Sequence, residues 1–178
     1  MKRDLSGIRD RLREDARCKR LKALFTELPI YQIPTEDLIK EVEQIHKARS
    51  IRFLTQASPR FIEAIVDASL MESANRSRCA EISMKCYKAE ATLKDALEPL
   101  REYLLLTYGP DLSFVRTKDE RLQVINMALA PFIKFMNRIA LVRGLCDIVV
   151  KDIDQGAFTL QRSVAALNMR NGRGEQTI

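Results

Sequence analysis

The only imidazole in this chain of 178 residues is His46, so nucleophilic catalysis by a Ser–His or Cys–His pair would have to be built around it. It lies in the charged run QIHKARS, which reads as a helix histidine facing solvent or a hydrogen-bond partner rather than a base. Asp147, Asp152 and Asp154 are the one carboxylate group suggestive of metal-assisted hydrolysis. At seven-residue spacing Asp147 and Asp154 share a helix face, but Asp152 lies off it, and no second motif completes a ligand set. Neither GxxxxGK[ST] nor GxGxxG occurs, and NGRG near the C-terminus lacks a strand before it or a helix after it. Cys18, Cys79, Cys86 and Cys146 form no CxxC pair. Cys79 and Cys86 would stand about 10 Å apart on one helix face, too far for a bridge. The expectation is four free thiols, no metal, no cofactor and no enzymatic activity.

Binding chemistry is better represented. The net charge of +6 is concentrated at the ends: residues 1–22 hold nine basic and four acidic side chains, 23–108 sum to −2, and 109–170 to +3. Lys and Arg so grouped displace counterions from phosphate, although a solvated helix face has the same composition. Arg9, Arg13, Arg17 and Arg20 recur at near-helical spacing and form one candidate stripe. Lys85, Lys88, Lys94 and Arg101 beside Tyr87 form a second. Tyr87, Tyr103, Tyr108 and Phe114, interleaved with Lys85, Lys88, Arg101 and Arg116, offer faces for stacking on unpaired bases, or equally for packing between helices.

The elements that must hold these residues are helices. Six glycines, six prolines and no Trp leave little turn chemistry for a β-rich fold, and 46% hydrophobic residues suffice for a core. Leu5, Ile8, Leu12, Leu21, Leu24 and Leu28, with Ala16 between, predict one amphipathic helix from about Lys2 to Leu28. Pro29 and Pro34 bracket a linker; Thr35, followed by Glu36 and Asp37, starts a second helix expected to reach about Ala57. Ser58-Pro59 starts a long third helix, with a kink or break expected at Pro99 and a stop at Gly109-Pro110. Thr117 and Glu120 match a capping box. The helix it opens is apolar on several faces over 122–153, with a kink expected at Pro131 and weakening or close helix approach at Gly144 and Gly156. The tail from Asn171 reads as frayed.

A helix so broadly apolar needs walls on all sides, and the other helices carry narrow stripes. A second copy would supply the missing walls, so Leu129, Phe132, Ile133, Met136, Ile139, Val142, Cys146, Val149 and Ile153 are the expected oligomerisation residues. A monomeric bundle with this helix at its centre is the alternative.

An order of features in the second half resembles the UvsY family of recombination mediators of tailed phages. It comprises MKCYKAEATLKDALEPLREYLLLTYG, a polar loop, TKDER, a long apolar helix containing LCDIVV, and QGAFTLQRSVAALNMR, over roughly residues 85–170. The resemblance implies a small all-helical ring-forming protein that assembles through its C-terminal helix. It further implies binding to single-stranded DNA and help in loading a RecA-like recombinase by displacing single-strand-binding protein. Residues 1 to about 58 have no counterpart in that pattern.

These readings combine into an all-α, elongated bundle of about five helices, with a basic region at 1–57, a core and oligomerisation domain at 58–170, and a flexible tail at 171–178. The expected function is that of an oligomeric single-stranded-DNA-binding accessory protein of phage recombination or replication. A phage virion adaptor or small packaging subunit would also be helical, oligomeric and basic at one end. With no signal-peptide core at the N-terminus and no uncharged stretch of 18 apolar residues, the expected location is the cytoplasm, with no membrane partner.

Overall fold

The computed structural model describes residues 5–49, 61–113, 115 and 117–174. Among them the protein is all-α: α1 (Leu5–Glu14), α2 (Ala16–Glu27), a 3₁₀ turn (Pro29–Tyr31), α3 (Thr35–Lys47), α4 (Phe61–Tyr108), α5 (Lys118–Ala128) and α6 (Ala130–Gly174). No single helix there is long and apolar enough to cross a membrane; α5 and α6 meet that measure only jointly, across an 86° bend.

Local signals explain most boundaries. Thr117 accepts from the Glu120 N–H at 3.2 Å while Glu120 accepts from the Thr117 N–H at 3.3 Å, the capping box read from the sequence. At the end of α4 the Gly109 N–H donates to the Leu105 carbonyl, and a Cβ at position 109 would collide with that same oxygen. Only glycine fits this close return. Thr35 begins α3 with Glu36 and Asp37 in its first turn, where the helix dipole favours acids.

Several expectations are corrected. The single N-terminal helix is two, because Asp15 leaves helical geometry (φ −56°, ψ 139°) and caps α2 by accepting from the Arg17 N–H at 2.8 Å. The stripe is re-phased by this break: Cys18 and Leu21 are buried, while Leu24, Leu28 and Ala16 are exposed. α3 stops at Lys47, short of the expected end near Ala57, a position outside the described residues along with the Ser58-Pro59 start. α4 runs through Pro99 without a break; Asp95 and Pro99 are both exposed, so water can take the carbonyl that proline leaves without a donor. The interruption expected at Pro131 falls at Leu129 instead. Pro131 offers no N–H to Met127, and it sits in the first turn of α6, where none is needed. Gly144 and Gly156 interrupt nothing, an added Cβ at Gly144 would meet open space, and α6 continues through Asn171 to Gly174.

Two compact units result, drawn differently from the expected division at residues 57 and 58: residues 1–35 with 85–141, and 36–84 with 142–178. In the first, α1 packs on α2 and α5, and Leu12, Leu93, Leu97, Leu104, Leu112 and Ile125 are fully buried in one core. Burial of each such side chain contributes about 1.5–3 kcal/mol. The second buries Val42, Ile82, Val142, Val149 and Ile153, together with two charged side chains, Arg49 and Glu72. Arg78 ties α3 to α4 there through a two-pronged pair with Glu41, at 2.6 and 3.1 Å.

Candidate nucleic-acid interface

All nine residues expected to touch nucleic acid fall in the first unit: Arg9, Arg13, Arg17, Arg20, Lys85, Tyr87, Lys88, Lys94 and Arg101. The charge is partitioned the same way. The first unit carries 18 Lys and Arg against 12 Asp and Glu, a net of +6, and the second carries 12 against 12. The whole surplus of the chain therefore belongs to one unit.

Within that unit the surplus is uneven. On α4 the run 85–102 sets Lys85, Lys88, Lys94 and Arg101 against Glu90, Asp95, Glu98 and Glu102, so the second stripe is locally balanced. Lys94 lies 3.8 Å from Glu98, and Arg101 donates its Nε–H to Asn126. Tyr87 is 54% exposed. Tyr103 and Tyr108 are half-buried with their hydroxyls on the Asp15 carboxylate, at 3.4 and 3.0 Å. Burial, then the bond to Asp15, raises the Tyr108 pKa. Phe114 and Arg116 lie outside the described residues.

The N-terminal helices keep their excess, with seven basic and four acidic residues over 5–27. Asp15 anchors them: besides capping α2 it receives the two tyrosine hydroxyls of α4, while the Arg17 guanidinium lies 3.7 Å above the Tyr103 ring. Arg11 pairs with Asp111 at 3.0 Å. Arg9, Arg13, Arg17 and Arg20 do not form one stripe, because the break at Asp15 separates the first two from the others and Arg17 is spent on Tyr103.

A second cationic segment, this one free of acids, was not singled out from the sequence. Residues 130–141 at the start of α6 hold Lys134 and Arg138 and no carboxylate. Their i,i+4 spacing was a usable signal, but these charges interrupt an otherwise apolar helix and so read as breaks in its hydrophobic surface. Two cavities adjoin here. One, about 620 Å³, is lined by Tyr31, Lys134, Phe135 and Arg138; the other, about 500 Å³, by Arg13, Lys19, Lys22 and Phe132. Phe25, Thr26 and Pro131 line both, which makes them stretches of one groove. Its wall is an aromatic cluster in which Phe25 lies 5.2 Å from Tyr31, 5.2 Å from Phe132 and 5.0 Å from Phe135, centroid to centroid.

The expected oligomerisation residues are placed differently from their assigned role. Leu129, Phe132, Ile139, Val142, Cys146, Val149 and Ile153 are buried within the chain, and Ile133 and Met136 are half-buried. The other helices do wrap this face, contrary to the expectation from their narrow stripes. Large apolar side chains left exposed occur in both units: Leu24, Leu28, Leu106, Met127 and Leu141 in the first, and Val66, Leu70, Met71, Met84, Ile148, Phe158 and Val164 in the second.

Of the candidate catalytic groups, Asp147 is exposed, and His46, Asp152 and Asp154 stand in ionic contacts. Asp152 holds Arg49 and stands 3.3 Å from His46, and Asp154 pairs with Arg76 at 2.9 Å. The four cysteines are free and buried; burial, then Asp15, pushes the Cys18 thiol up to about 11, whereas a hydrogen bond with Cys146 lowers the Cys79 pKa. No protein-family model, curated protein or solved structure matches the chain.

Proposed function

We propose that the protein is an oligomeric single-stranded-DNA-binding accessory factor of phage recombination or replication, with its first unit on the DNA and its second on other copies. The observation that carries this reading is the charge partition, +6 in one unit and balance in the other. A strand of phosphates favours the first and is indifferent to the second. Exposed Val66 and Leu70, one turn apart on α4 with Met71 next in sequence, together with Ile148 and Phe158 of α6, support self-association of the second unit, since apolar surface is costly to leave in water. The resemblance to recombination mediators supplies the partners, a RecA-like recombinase and single-strand-binding protein.

Binding of labelled oligonucleotides of unrelated sequence, followed by anisotropy at about 50 mM salt, tests the reading. Equal affinity for all of them is expected, because phosphate contacts carry no base information. Absence of binding would overturn it in favour of a virion adaptor or packaging subunit.

A further inference from the structure

The groove between α2 and the start of α6 has cations on both banks. Arg13, Lys19 and Lys22 stand on one and Lys134 and Arg138 on the other, against one lining carboxylate, Glu14, which Lys19 holds at 2.5 Å. Between the banks lies the aromatic cluster, of which Phe25 and Phe135 remain half-exposed. A polyanion with flat apolar faces fits both features: phosphates meet the banks, and unpaired bases meet the rings. In a duplex the bases are stacked on each other and unavailable to that wall. We infer that this groove, rather than the balanced surface of α4, is where a nucleic-acid single strand lies. The inference rests on the proposed binding of single-stranded DNA and assigns its path.

Its competitor is attraction by the general charge of the unit, which would make any three cations equivalent. Two variants separate the possibilities: Lys22→Gln/Lys134→Gln/Arg138→Gln in the groove, and Lys85→Gln/Lys88→Gln/Lys94→Gln on α4. Both remove three charges. The salt dependence of binding to a thymidine oligonucleotide should flatten by about 2 in log–log slope for the groove variant, at about 0.7 per lost contact, and stay near wild type for the α4 variant. Should the groove variant fail to fold, lysine acetylation of the wild-type protein gives the same answer: bound oligonucleotide should protect Lys19, Lys22 and Lys134 and leave Lys85 and Lys88 reactive. Equal flattening in both variants, flattening only in the α4 variant, protection of Lys85 and Lys88 instead, or equal affinity for a duplex of the same length would overturn the groove. Failure of wild type to bind any oligonucleotide would instead overturn the reading on which it rests.

Discussion

The Nε–H of Arg49 points between the two carboxylate oxygens of Glu72, 3.0 Å from each, and both side chains are closed off from solvent. Burial opposes the guanidinium charge, but hydrogen bonds to Asp152 and Glu72 outweigh it and raise the Arg49 pKa. The pair fastens the residue just beyond α3 to α4 and, through Asp152, to α6.

Breaking such a pair from one side leaves a buried charge alone, which costs about 3–5 kcal/mol. Arg49→Met should therefore lower unfolding stability by about that amount in urea titrations. A loss below about 1 kcal/mol, the usual value of an exposed pair, would contradict the assignment.

Cys18 gives the first unit a weakness in alkali. A thiol whose folded-state pKa is raised stays protonated in the fold, so its contribution is complete below pH 9.0 and is lost as pH climbs towards about 11. The melting temperature of wild type should fall across this window more steeply than that of Cys18→Ala. Tyr31 and Tyr108, raised mainly by burial, retain part of the slope in the variant. Parallel curves for the two proteins would contradict the assignment to Cys18.

Features readable in the sequence are those decided within a few residues. The Thr117–Glu120 capping box, the Thr35 start and the Gly109 stop each depend on neighbours in the chain, and each stands where expected. Asp15 is different, because its carboxylate also accepts from Tyr108, 93 residues away. The Arg49–Glu72 pair spans 23 residues, and the groove joins Lys22 of α2 to Lys134 of α6. Periodicity marked α6 as apolar on several faces but could not tell whether this chain or another copy covers them. Charge counting found the basic N-terminal helices, yet treated α4 as basic without weighing Glu90, Asp95, Glu98 and Glu102.

Self-association should reside on the exposed apolar side chains of the second unit. Leu70→Asp and Phe158→Asp should reduce a sedimentation mass that in wild type stands well above 20.4 kDa, while leaving helical circular dichroism intact. Ile139→Asp or Val149→Asp should cost helicity itself, since these side chains are 0% and 3% exposed and an unpaired carboxylate there opposes folding. A wild-type monomer at micromolar concentration would contradict the oligomer.

The most direct measurement is the salt dependence of single-stranded DNA binding by the wild-type protein. Five groove cations, at about 0.7 per phosphate contact, set a log–log slope of about −3.5 if all engage. A slope between about −2 and −4, the same for unrelated sequences, is the predicted result. No binding at about 50 mM salt, or a slope near zero, would contradict the account.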